Sequence, residues 1–214
     1  EIHMGRYLGP QCRLCRAEGT KLYLKGDRCR SDKCPITKRR PKPGLSLRSR
    51  PKKTSDYGVQ LREKQKVKRM YGMLEKQFRL FFTKAAKQKG ITGDALIAML
   101  ERRLDNIVYR MHFAGSRKQA RQLVAHGHVK VNGRRVKTPS FQVREGDEVE
   151  IREPSKKLMS IKDSLKEYSR AGVSPWLEVD PDRLWGKVKG IPRRADVADL
   201  ADVQEQLIVE LYSK

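Results

Sequence analysis

SRKQARQLVAHGHVKVN, residues Ser116 to Asn132, is the stretch that decides how this chain folds. Ser116 is a good helix N-cap, because its hydroxyl can accept from the free N–H groups of the first turn. Ala120, Leu123 and Val124 then recur at helical spacing on one face, while Arg117, Lys118, Arg121 and Gln122 fall mainly on the other. Gly127 can take the left-handed conformation that ends a helix. Val129 and Val131 alternate around Lys130, and Asn132-Gly133 is the strongest two-residue hairpin signal a sequence carries, with Val136 on the return strand. A short helix with a cationic outer face is thus held beside a strand. That arrangement suits a phosphate backbone and has little use in small-molecule chemistry.

Working outward, Ser55-Asp56 caps a helix expected to run to about Tyr71, mostly cationic from Arg62 to Arg69 and ended by Gly72. A second helix is expected from about Glu75 to Lys89, with Phe78, Phe81, Phe82, Ala85 and Ala86 on its apolar face and Gly90 as its C-cap. That aromatic stripe reads as core and not as a base-stacking platform. A third helix is expected after Thr92-Gly93, carrying Leu96, Ile97, Leu100, Leu104, Ile107, Val108 and Met111 in one stripe. Downstream, Phe141 and Val143, a Glu145-Gly146-Asp147 turn, and Val149 and Ile151 between Glu148 and Glu150 read as short antiparallel strands. Residues 155–169 read as an amphipathic helix and Pro175 to Val179 as a strand. From Asp202 to Tyr212 the tail reads as helix, strand or both. The alternation of Leu207, Val209 and Leu211 favours a strand over its final half.

Composition points to a polyanionic partner. The formal net charge is +24 over 214 residues, and residues 1–100 hold 26 Lys/Arg against 8 Asp/Glu. A chain this basic repels itself unless it meets nucleic acid or an anionic surface. No apolar run approaches the ~20 residues of a membrane span, and the basic stretches mostly lack an apolar opposite face, so a membrane role is not expected. The N-terminus has no apolar h-region, so no signal peptide is expected either.

Residues 5–54 have no sustained apolar periodicity and carry four cysteines and five prolines. A loop-rich segment of this kind needs a staple. Cys12-x2-Cys15 and Cys29-x4-Cys34 have metal-ligand spacing, which points to a structural Zn²⁺ held by Cys12, Cys15, Cys29 and Cys34. A 4Fe–4S cluster and unligated or oxidised cysteines are the alternatives. Beyond Cys34 the chain reads as an extended basic arm.

Catalytic chemistry is thin. No Gly-rich phosphate loop appears. His126 and His128 flank Gly127 and are better read as facing RNA than as metal ligands. Asp105 is a candidate helix partner for Arg102. No catalytic residue is expected.

With Leu104-Asp105-Asn106-Ile107-Val108-Tyr109-Arg110 upstream of it, the 116–132 stretch resembles the alpha-L RNA-binding module. Met4-Gly5-Arg6-Tyr7 with Gly9-Pro10, the cysteine pairs, Lys21-Leu22, Ser55-Asp56-Tyr57, Leu61 to Lys66, Pro175-Trp176-Leu177 and Glu205 to Glu210 extend the likeness along nearly the whole chain. They resemble, in order, the family of the fourth small-subunit ribosomal protein, in its bacterial zinc-binding form. The resemblance implies an α+β fold: a metal-stapled N-terminal knot with a basic arm (1–54), a helical domain (55–101), an alpha-L module with short antiparallel strands (102–166), and a C-terminal segment (167–214) packing back on the helical domain.

The family's role implies a primary binder of the 5′ domain of small-subunit rRNA that nucleates assembly of the subunit body and contributes to translational accuracy. Its partners would be that rRNA, neighbouring proteins (notably the fifth) and mRNA near the entry channel, in the cytoplasm, with no membrane and no small-molecule substrate. In that frame Arg6, Arg13, Arg28, Arg39, Arg40, Arg48, Arg50, Lys52 and Lys53 would grip phosphates. Arg62, Lys64, Lys66, Lys68 and Arg69 would pack along an RNA helix. Arg117, Gln119, Arg121, His126, His128, Asn132 and Arg134 would hold a second RNA face. The module alone also occurs on RNA-modifying enzymes. The segments here are short and basic, with no convergent acid, base or nucleophile. A zinc-ribbon factor would fit the cysteines and leave the module unexplained.

Overall fold

A computed structural model of the chain describes residues 5–44, 53–165 and 172–213. In chain order the elements are helices α1 (Gln11–Glu18), α2 (Asp27–Arg30), α3 (Asp56–Met70), α4 (Glu75–Ala86), α5 (Thr92–Glu101), α6 (Leu104–Arg110) and α7 (Arg117–Ala125), strands β1 (Val129–Val131), β2 (Arg134–Arg135) and β3 (Glu148–Ile151), helix α8 (Met159–Leu165), strands β4 (Leu177–Asp180) and β5 (Trp185–Val188), and helix α9 (Glu205–Ser213). They form two compact units, residues 1–93 with 202–214, and residues 94–201. Among the described residues no helix is long and apolar enough to cross a membrane.

The first unit is helical. The Ser55 hydroxyl accepts from the Gly58 N–H at the start of α3, and Gly72 leaves it at φ +61°. In α4, Phe78, Phe81, Phe82 and Ala85 are buried, so the aromatic stripe is core. Helix α9 packs along α3. Its Glu210 accepts from Gln60 Nε2 at 3.0 Å, and Tyr212 stacks on Phe82 with ring centroids 4.5 Å apart. The tail is therefore helix to Ser213, not a strand in its final half. Docking of Ile208 and Tyr212 at i, i+4 spacing overrides the period-two pattern of Leu207, Val209 and Leu211.

The N-terminal knot is not metal-stapled. Among the described residues no group of three or more His, Cys, Asp or Glu side chains could hold a metal ion. Cys12 and Cys15 lie on helix α1 instead of a loop, and Cys29 lies on α2. Cys15, Cys29 and Cys34 are buried with Leu22, as small hydrophobes. Glu18 of α1 takes ion pairs from Arg69 and Arg62 of α3, which fastens the knot to the helical unit. The arm expected after Cys34 begins as a wound turn: Lys38 N–H donates to Cys34 O and Arg40 N–H to Pro35 O.

The second unit packs α6 and α7 on a five-stranded antiparallel sheet ordered β2-β1-β3-β5-β4. Val129 and Val131 pair with Ile151 and Val149. Their inward side chains close a core with Leu104, Ile107, Val108, Met111, Phe113, Leu123 and Val124. Asn132 and Gly133, at φ +49° and +74°, make the β1–β2 turn. Phe141 and Val143 belong to no ladder; the local pairing is an isolated bridge between Arg103 and Gln142. The helix expected at 155–169 is split into a 3-10 turn (Glu153–Ser155) and α8, and positions 166–169 lie outside the described residues.

The third expected helix is broken into α5 and α6 at Arg103, whose backbone is extended (φ −67°, ψ 136°). No Gly or Pro marks the break. The free amides of α6 are satisfied from far along the chain, Leu104 N–H by Phe141 O and Asp105 N–H by Pro139 O. Asp105 pairs with Arg103 and Arg121, not Arg102, whose Nε donates to Val143 O.

Strand β5 had no sequence signal, since Gly186 breaks its pattern. The glycine is required by a close approach: a Cβ there would lie 2.8 Å from Glu178 O and from the Met111 sulfur. Gly186→Ala is expected to cost about 1–3 kcal/mol. The chain's two tryptophans, Trp176 and Trp185, both lie in this unit, so urea unfolding followed by their fluorescence reads the loss. An unchanged midpoint would show that the strand shifts to make room.

Candidate nucleic-acid interface

Helix α7 begins as its sequence requires, with Ser116 Oγ accepting from Gln119 N–H at 3.3 Å. Its outer face carries Lys118, Gln122 and His126 at i, i+4, i+8 spacing, all exposed. The stripe continues onto the hairpin. Arg135 Nε donates to Gly127 O and its Nη2 to His126 O, both at 3.0 Å. A cation thereby sits on the carbonyl end of α7, where the helix dipole favours it. Arg134 at the turn and Lys137 beyond it are exposed. Lys118, Arg135 and Lys137 were not among the expected site residues. Arg135 could not be read from sequence, because its role depends on β2 lying beside the end of α7.

Three expected contacts of the module are engaged by partners within it. Arg117 is buried; its Nε donates to Asn106 Oδ1 at 2.8 Å, its Nη2 to Asp199 Oδ2 at 2.9 Å, and its guanidinium lies 4.6 Å over the Tyr109 ring. Arg121 reaches Asp105 at 3.3 Å. Gln119 Oε1 accepts from Gly115 N–H. Asn132 pins the hairpin: its Nδ2 donates to Asp147 Oδ1 at 2.8 Å and its Oδ1 accepts from Glu148 N–H at 2.9 Å. His128 Nδ1 lies 2.9 Å from Ser155 Oγ, its ring 6.1 Å from that of His126. Burial, then the nearby His126, Arg152 and Arg135, hold His128 below the ordinary histidine value. At neutral pH it is an uncharged hydrogen-bonding group.

Behind α7 lies a closed ring of charged groups. Glu101, fully buried, accepts from Asn106 Nδ2 and from Nε and Nη2 of Arg110, each at 2.9 Å. Arg110 reaches Asp199 at 3.0 Å, Asp199 takes Arg117, and Arg117 returns to Asn106. Burial works against the Asp199 carboxylate, but Arg117 and Arg110 outweigh it and hold its pKa below the ordinary 3.8. Its contribution to stability is therefore complete above that value and declines as pH falls through the folded one.

In the helical unit the five expected cations of α3 all meet acids. Lys64 and Lys68 bind the two oxygens of Glu75 at 2.6 and 2.7 Å, Lys66 binds Glu63 at 2.5 Å, and Arg62 and Arg69 bind Glu18. Burial opposes ionisation of Glu75, but hydrogen bonds from Lys64, Lys68 and Tyr212 outweigh it and bring its pKa down to about 2. Arg13, Arg28, Arg39, Arg40 and Lys53 are exposed and Arg6 is half-buried, whereas Arg48, Arg50 and Lys52 lie outside the described residues.

The cysteines do not form the expected zinc or iron–sulfur centre. All four are free thiols, and no ligand group converges among the described residues. Burial pushes the Cys15 and Cys29 thiols up, and repulsion from the other cysteines adds to this. At Cys34 burial is outweighed by N–H donors from Thr37 and Ile36, which lower its thiol.

The family profile for the ribosomal protein S4/S9 N-terminal domain matches residues 6–101, and that for the S4 domain matches residues 102–149. The small ribosomal subunit protein uS4 of Geotalea daltonii is 57% identical over 211 residues, covering 99% of this chain and all of the relative. Those of Geobacter sulfurreducens and Thermus thermophilus are 54% and 52% identical over the same coverage.

Proposed function

This chain belongs to the uS4 family of small ribosomal subunit proteins, and from that premise we propose how it works in the subunit. It is a structural, rRNA-binding component and not an enzyme. It binds the 5′ domain of small-subunit rRNA in the cytoplasm, nucleates folding of the subunit body, touches the fifth protein and the mRNA entry, and so bears on accuracy. The observation that carries the RNA reading is the exposed run Lys118–Gln122–His126 continuing into Arg134 and Lys137, on a rigid helix and hairpin. Duplex RNA hides its base edges in a deep groove, so this surface reads shape, phosphates and 2′-hydroxyls.

The test is affinity for the 5′-domain junction RNA against random RNA of equal length, across a salt series. Binding to the junction is expected to persist at salt where random RNA dissociates. Lys118→Ala with Arg134→Ala is expected to reduce the slope of log K against log salt by about 1.4–1.8, at roughly 0.7–0.9 for each phosphate no longer neutralised. Equal affinities and equal slopes for the two RNAs would defeat the assembly role.

A further inference from the structure

Helix α4 turns one face to the core and the opposite face to solvent. Phe78, Phe81, Phe82 and Ala85 are buried; Lys76, Arg79, Leu80, Thr83, Lys84 and Lys87 are exposed. The sequence has no Asp or Glu between Glu75 and Asp94. Glu75 itself is occupied by Lys64 and Lys68 of α3 and the Tyr212 hydroxyl, so it does not balance the outer face. The two helices divide the charge in opposite ways. On α3 each of the five expected cations has an acid within the unit. On α4 Lys76 and Arg79, and Lys84 and Lys87, are like-charged neighbours at i, i+3, which cost helix stability instead of adding to it. A solvated face usually mixes signs.

We propose that the outer face of α4 is an RNA phosphate-binding surface, and that α3 is the strut that holds it. The proposal rests on the rRNA-binding reading above and assigns that binding to residues which the sequence placed on a core helix. Lys76 to Lys87 spans about 16 Å along the axis, a length over which a strand presents several phosphates. Three of the four cations are lysines, point charges suited to phosphate. Lysine is depleted in protein–protein interfaces, which favour aromatic and arginine anchors. The single large apolar group on this face is Leu80, 54% exposed, too little for an apolar docking site.

The test uses the full chain carrying K76A/R79A/K84A/K87A, since alanine keeps the helix, and K76R/K84R/K87R, which keeps the charge. Both are titrated with the 5′-domain RNA across the salt series and mapped by hydroxyl-radical protection of the RNA. The alanine variant is expected to lower the salt slope by about three and to bind on the order of a hundredfold more weakly at low salt. It should lose protection at one RNA segment only, and the arginine variant should bind as wild type. An unchanged slope would overturn the proposal and leave an acidic protein as the partner of this face. Equal weakening at every protected segment would also overturn it, because only bulk charge would then be at work. A wild-type chain that does not prefer the junction would defeat the assembly role separately, while the slopes would still report on α4.

Discussion

Replacing Glu101 by alanine is expected to destabilise the 94–201 unit by about 3–5 kcal/mol. Glu101 is fully buried and holds Asn106 and both nitrogens of the Arg110 fork. Truncation takes away the bidentate carboxylate of the largely buried Arg110 guanidinium and leaves it Asp199 in the ring, a loss that exceeds the net value of the pair itself. The loss passes around the ring to Asp199 and Arg117, so the first turn of α7 loosens with it. Glu101→Gln keeps the acceptor for Asn106 and removes the charge, and is expected to fall between wild type and alanine. Urea unfolding followed by Trp176 and Trp185 fluorescence reads this unit. A cost below about 1 kcal/mol would mean the ring behaves like an exposed ion pair and does not hold α7.

In the helical unit, Phe78→Ala is expected to cost about 3–5 kcal/mol, and Leu80→Ala, two residues away, less than about 0.5 kcal/mol. Phe78 is fully buried with its ring 6.4 Å from that of Tyr212, whereas Leu80 faces solvent on the outer side of α4. The phenylalanine deletion leaves a cavity between α4 and α9, and the leucine deletion leaves none. Amide exchange of Val67 and Phe82, which report global opening of this unit, would separate them. Equal effects at the two positions would mean that α4 is not oriented as described. The same pair bears on the α4 proposal, since only a helix with that orientation presents Lys76, Arg79, Lys84 and Lys87 together.

Much of the architecture was legible because its causes are local. Ser55 and Ser116 cap helices, Gly72 and Gly127 leave them at positive φ, and Asn132-Gly133 turns the hairpin. Each signal acts within four residues and survives any packing. The apolar stripes of α4 and α7 were equally readable, because a helix buries a face that its own period defines. The exposure of Lys118 and Gln122 on the outer face of α7 followed from the same periodicity.

What could not be read was where each cation spends its charge. Arg117 and Lys118 are adjacent and both basic, yet one closes a buried ring through Asp199, 82 residues away, and the other faces solvent. Lys64 and Lys68 looked like part of a phosphate-binding row until α4 brought Glu75 against them, and Lys66 is held by Glu63 of its own helix and by the Asp202 backbone carbonyl. The cysteine spacing suggested a ligand set, but Cys15, Cys29 and Cys34 are buried as small hydrophobes and no metal-holding group forms among the described residues. The sequence alone determined the turns, the caps, the helix faces, the overall positive charge and the RNA-binding class. The tertiary structure decided the break at Arg103, the helical tail, the fate of the cysteines and which basic residues remain available. The physical reason is range: caps and periodicities are properties of a few neighbouring residues, whereas most of these charges are neutralised, and the thiols buried, by groups that the fold brings from elsewhere.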